Sequence, residues 1–392
     1  AFADTYYIDY GDITITKNAD GSQTVQYGKE DGSTATDNDS GEIIITTRDQ
    51  TITSLESDLE GPAAEDSDFG PVVEDNYQPA APAQPEDADQ PEGADQQKDA
   101  DQPENADQQE SADQQKDADQ PEGADQPEST DQQKDADQQK DADQQKDADQ
   151  QAQPQQAAPV ASTPVKYWKN TITVINIFTD TVLNLTLKNV KIDVSDADGK
   201  AALSVQGDGN VTIELDGNNE LKSGNLKAGL EKNTSEGTLT LKDDKEAGSG
   251  SLTAEGGGWA AGIGGSDGKG TNNIIISGGT VTAEGGNYGA GIGSGGGSYD
   301  GGDHITITGG TVNATGGAWG AGIGGGYGDD SDHITISGGT VTAEGGNYGA
   351  GIGGGYGGVG DHITISGGAV TAIGGRVGGA GIGGGYSGNG DH

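Results

Sequence analysis

Residues 332–360 read DHITISGGTVTAEGGNYGAGIGGGYGGVG, and this unit decides the fold. It holds three short β-favouring pieces, His333–Ser337, Thr340–Ala343 and Ala350–Gly353, each closed by glycines. Strict alternation in the first two puts Ile334 and Ile336 on one side and His333 and Thr335 on the other. Val341 and Ala343 then face in, and Thr340 and Thr342 face out. Three strands with three Gly-rich corners make one triangular coil. The A-G-I step recurs at Ala261, Ala290, Ala321, Ala350 and Ala380, with spacings of 29, 31, 29 and 30 residues. Degenerate copies stand at Ala228-Gly229-Leu230 and Ala202-Leu203. The expected fold is therefore all-β: a right-handed parallel β-helix of about seven coils of ~30 residues, stacked at ~4.8 Å per coil.

Stacking in register turns repeated positions into columns. Ile274, Ile305, Ile334 and Ile363 form one, and Ile276, Ile307, Ile336 and Ile365 the next. Leu252, Val281, Val312, Val341 and Val370 form another, as do Ile263, Ile292, Ile323, Ile352 and Ile382. Each coil buries its apolar residues against two neighbours, so a core forms even though aromatics are only 5% of the chain. The sequence stops at Asp391-His392, where the pattern calls for another I-T-I-S-G-G, so further coils are expected beyond it.

Working outward from the solenoid, 164–392, the preceding stretch 61–163 has a different character. It carries a six-residue repeat built on A-D-Q-Q-K-D and A-D-Q-P-E-G, whose Asp-Gln step recurs from Asp89 to Asp149. Six is neither a helical nor a strand period, and no apolar face results, so this reads as a disordered acidic tether. As a random coil of ~100 residues it would span roughly 50–60 Å. Residues 1–60 form an N-terminal β segment, with strand-like runs at Asp12–Thr16, Gln23–Tyr27 and Glu42–Thr46. That is too little for an independent core, and the segment is expected to cap the solenoid across the tether.

Composition excludes several classes. The chain has 392 residues, 72 of them Gly, no Cys, no Met and a net charge of −45. Thiol chemistry and disulfides are excluded, and so much negative charge disfavours nucleic acid and anionic membrane surfaces. No run approaches the ~18 apolar residues of a membrane span. Ala1-Phe2-Ala3 has the A-x-A form of a signal-peptidase site. The expected location is thus secreted or at the cell surface, with no direct membrane insertion.

From Asn170 to His392 the chain resembles secreted and cell-surface carbohydrate-binding-domain-containing β-helix repeat proteins of gut Firmicutes. The resemblance rests on LTLKNVKIDV (185–194), GNVTIELDGNNEL (209–221), GSLTAEGG (250–257) and the AGIGGG and ITISGG repeats. It implies a surface β-helix and, by its label, carbohydrate binding, with no defined site to carry over.

Candidate sites are columns too. Trp259, Tyr288, Trp319 and Tyr348 stand two residues before the A-G-I step. Tyr327, Tyr356 and Tyr386 follow it, with Tyr299 near the same place. A ladder of flat rings in Gly-rich corners suits an extended glycan, because apolar sugar faces pack on aromatic faces; rings stacked on one another to cover the corners are the plainer reading. His304, His333, His362 and His392, each after an Asp, could chelate a transition metal. Copying of one repeat explains them equally, and no metal or cofactor is assigned. Thr pairs such as Thr340 and Thr342 follow from β-propensity. Asp196-Ala197-Asp198-Gly199 has Val194 and Val205 where a calcium loop needs acids. Asp329, Asp330 and Asp332 are loop acids suited at most to weak calcium binding.

Near-copied coils offer no unique cluster of acids or bases, and Asp243 and Asp244 between Lys242 and Lys245 read as a solvated turn. No catalytic residue is assigned. The sequence thus favours a non-enzymatic adhesin-like or glycan-binding module whose partners are host or dietary glycans or glycoproteins. A purely structural stalk is the alternative, and a polysaccharide-degrading enzyme the third class.

Overall fold

The computed structural model describes residues 3–48, 165–245, 250–298, 301–302 and 304–388. The repetitive stretch 61–163, Tyr299 and His392 lie outside them. Three sheets surround one core. A nine-stranded sheet collects the I-T-I pieces such as Ile305–Ile307 and Ile334–Ile336. A seven-stranded sheet collects Thr311–Thr315, Thr340–Glu344 and their counterparts. An eleven-stranded sheet collects the two-residue strands Ile292–Gly293, Ile323–Gly324 and Ile352–Gly353.

Register follows the repeat. Leu252 pairs with Val281, Val281 with Val312, Val312 with Val341 and Val341 with Val370. Ile263, Ile292, Ile323, Ile352 and Ile382 pair in succession. Ile274, Ile305 and Ile334 do the same. These columns are fully buried until the last described coil, where Ile365 and Ile382 are 40% and 49% exposed.

The third strand is shorter than the sequence suggests, running over Ile352–Gly353 rather than 350–353. Gly324 and Gly353 turn the chain there with φ of 127° and 132°. A Cβ on either would lie 2.2 or 1.9 Å from the carbonyl oxygen of the next coil's glycine. The corner therefore needs glycine for its backbone angle and for the closeness of the coil above.

The first layers do not start at Pro164. Ile13–Thr16 pairs in parallel with Ile172–Ile175, and Ile43–Thr46 in parallel with Leu185–Lys188. Asp4–Tyr7 in turn pairs with Ile43–Thr46. Ile8, Ile13, Ile15, Ile43 and Ile45 are fully buried, in one cluster with Leu185, Leu187 and Val174. Gln23–Gly28 and Thr34–Asp39 then add antiparallel strands at the outer edge of the eleven-stranded sheet. Among the described residues these are the only antiparallel pairs, and they end the ladder with exposed polar side chains rather than a naked apolar edge. Residues 3–48 and the residues from 165 onward thus belong to a single solenoid.

Removing residues 1–48 strips cover from Ile172, Val174, Leu185 and Leu187, each worth about 1.5–3 kcal/mol when fully buried. The shortened chain is expected to melt at a clearly lower temperature by circular dichroism. An unchanged midpoint would show that the N-terminal strands do not belong to the solenoid.

Candidate functional site

The corner after each T-V-T-A strand carries the first aromatic column. Coil-to-coil backbone bonds set its spacing: Tyr288 N–H donates to Gly258 O, Trp319 N–H to Asn287 O and Tyr348 N–H to Ala318 O, at 2.9, 3.0 and 3.1 Å. The rings stack along the axis. Trp259–Tyr288, Tyr288–Trp319 and Trp319–Tyr348 have centroids 3.9, 6.2 and 4.3 Å apart and planes within 15°.

The second column, Tyr327, Tyr356 and Tyr386, stacks at 5.5 and 5.7 Å. It is tied to the first by the backbone, since Tyr327, Tyr356 and Tyr386 N–H donate to Tyr288, Trp319 and Tyr348 O. Its rings meet the first column edge-on: Trp319 lies 5.6 and 5.0 Å from Tyr327 and Tyr356 at 84° and 78°. Seven rings thus form one seam, half-buried except at Tyr386, which is 41% exposed.

Of the two arrangements that the sequence offers, the rings take the plainer one, with faces stacked on one another. Tyr299 lies outside the described residues, and the column position of its coil, six residues after Ala290, is Gly296. Gly296 N–H donates to Trp259 O as Tyr327 N–H does to Tyr288 O, and a Cβ there would meet Tyr288 Cβ at 2.7 Å.

A cleft of about 490 Å³ opens beside this seam, lined by Thr315, Glu344, Asn347, Ile373 and Arg376 over a glycine floor. A second, of about 380 Å³, lies on the nine-stranded sheet and includes Glu42, Glu214, Lys242 and Asp244. Its charges are satisfied internally. Lys242 Nζ reaches Asp244 at 2.6 Å and Glu214 at 3.3 Å, and Glu214 also accepts the Asp244 N–H.

One carboxyl and one amine have strongly displaced protonation. Burial pushes the Asp329 carboxyl up to about 6, against the hydroxyls of Ser294 and Ser298, with Asp330 adding repulsion. Burial brings the Lys232 amine down to about 8, opposed by Asp208 and Glu236. Lys232 is 1% exposed and donates to Ser235 Oγ and to the carbonyls of Asn233 and Asn272. The two groups sit three coils apart, roughly 14 Å along the axis, so they do not form an acid–base pair. Sequence reasoning named Asp329 only among loop acids. Asp329 bonds Ser298, Asp330 accepts from Val359 N–H and Asp332 bonds His362, so each of the three has its own partner. His304, His333 and His362 stack at 4.9 and 4.7 Å just before the I-T-I pieces of the nine-stranded sheet.

The Asp329 carboxyl binds its proton more tightly folded than unfolded, so its ionisation costs stability above about pH 6 and that cost vanishes as pH falls toward 4. Asp329→Asn is expected to raise stability at pH 7.5 by up to roughly 3 kcal/mol, with the two proteins converging near pH 4. Denaturant melts at both pH values check this, and a difference independent of pH would remove the buried-carboxylate account.

The family model for the Beta helix repeat matches residues 274–296, 305–327, 334–356 and 363–386. No curated protein and no solved structure matches the chain significantly. Each matched segment runs from an I-T-I-type strand to the glycine corner after the Ile-Gly strand, in phase with the coils. With three sheets of stacked, in-register coils that pair with one another in parallel, the chain is a β-helix repeat protein.

Proposed function

We propose that the chain works as an extracellular, non-enzymatic display scaffold, a solenoid whose aromatic seam is a structural spine. The observation that supports this most is where the ring faces go. Sugar stacking uses the face of a ring, and here the inner faces of both columns lie against other rings. The displaced carboxyl and amine are enclosed in separate coils, and the charged cleft near Lys242 is internally paired. These observations support the stalk over the glycan-binding module that the sequence favours. No helix among the described residues is long and apolar enough to cross a membrane.

A second reading, glycan binding, is favoured by the cleft at Glu344, Asn347 and Arg376, whose polar groups and glycine floor suit sugar hydroxyls. The two readings separate in one experiment. Full-length protein, a Trp319→Leu variant and an Asn347→Ala/Arg376→Ala variant are melted and applied to a glycan and mucin array. The scaffold predicts no array signal from any of them, and a lower midpoint for Trp319→Leu, which forfeits ring pairs worth about 0.5–1.5 kcal/mol each. Binding by the parent that the cleft variant loses at an unchanged midpoint would establish the second reading instead.

A further inference from the structure

We infer that Asp332, His333 and His362 form a binding site for a divalent transition-metal cation of the zinc, copper and nickel class. In these coils the residue before each I-T-I strand adopts the left-handed conformation, with φ of 55°, 56° and 48° at His304, His333 and His362. Asn273 occupies the same register position with φ of 56°. Asn and His are among the residues that tolerate this region, so the backbone alone does not call for histidine. What does distinguish the site is the way the side chains converge.

The rings of His333 and His362 are parallel within 3° and 4.7 Å apart. The Asp332 carboxylate bridges them. Its Oδ2 lies 2.9 Å from His333 Nδ1, and its Oδ1 lies 2.7 Å from His362 Nδ1. One ligand atom from each residue falls within 4.8 Å of the other two. Donors sharing one zinc at ~2.0–2.2 Å each stand roughly 3–4 Å apart, so a small rotation brings all three onto one cation. The side chains of His333 and His362 are 50% and 69% exposed, so that rotation disturbs no core packing.

Two imidazoles and a carboxylate suit zinc, copper or nickel rather than magnesium or calcium, which take oxygen ligands. Water completes the coordination shell. Beside the site, Asp361 Oδ1 is buried and, among the described residues, has no hydrogen-bond partner. It stands immediately before His362 and, like His304, lies outside the converging set. His304 stacks on the opposite side of His333 and lies outside the converging set.

The test uses the full chain, freed of metal by chelation and titrated with zinc chloride. Excess magnesium is present, so that the many solvated carboxylates do not report. One saturable zinc per chain is expected, with shifts of the His333 and His362 imidazole signals in NMR spectra. Binding should weaken as pH falls, because protons compete with the metal for its ligands. His333→Asn and His362→Asn keep a residue suited to the left-handed backbone, and each should lower affinity about tenfold or more. His304→Asn should leave it unchanged. The assignment is overturned if no zinc binds above the magnesium background. It is equally overturned if the His333→Asn/His362→Asn double variant, with a parental circular dichroism spectrum, binds zinc as the parent does.

Discussion

Parallel in-register stacking at one strand spacing is the constraint from which the other features follow. Once a coil closes in about 30 residues, each residue lies over its counterpart one coil away, and only side chains that tolerate their own likeness persist. Isoleucine and valine do so in the core, where Ile292, Ile323 and Ile352 interlock at full burial. Glycine does so at corners such as Gly289, Gly320 and Gly349, where a Cβ would lie about 2 Å from the carbonyl of the coil before. Aromatic rings do so by lying parallel, and the imidazoles of His304, His333 and His362 follow the same rule. The columns of this molecule are thus one physical requirement met by different side chains.

The coils satisfy that requirement in two styles. Among the described residues, every ion pair involving Lys or Arg lies at or before Glu255, with Lys191–Glu220, Lys222–Glu255 and Lys242–Glu214 bridging adjacent coils. The side chains of these pairs are 10–35% exposed, and like charges would repel in a slipped register. Beyond Glu255 the repeat is close to exact, and the coils are joined by Gly-rich backbone bonding and by rings. Lys232 and the Asn272 carbonyl that it reaches lie where one style gives way to the other.

Much of this architecture was legible from residues 332–360, because a solenoid translates local periodicity directly into tertiary contacts. The inward and outward faces, the columns and the coil length all follow from alternation and spacing. What was not legible depends on contacts that no local pattern carries. Asp4–Tyr7 and Thr34–Asp39 are weak strands in isolation and form because Ile43–Thr46 and Gln23–Gly28 are there to pair with them. Ring orientation was hidden too: the sequence supplies the spacing of the aromatics, while the side-chain torsions that turn their faces together come from packing.

The route of the chain at the first layer bears on how the sequence can change. Thr46 bonds to Lys188 across 142 positions, whereas later coils close over about 30. Closing that longer loop costs only about 1.4 kcal/mol more, and each further doubling adds roughly 0.6 kcal/mol. The number of A-D-Q hexapeptides is therefore nearly invisible to folding equilibrium. Copies can be gained or lost by replication slippage while Ile43–Thr46 still finds its place beside Leu185–Lys188. The acidic array and the glycine-rich coils are two repeat systems in one chain, and in the second the geometry fixes the length of each repeat at about 30 residues.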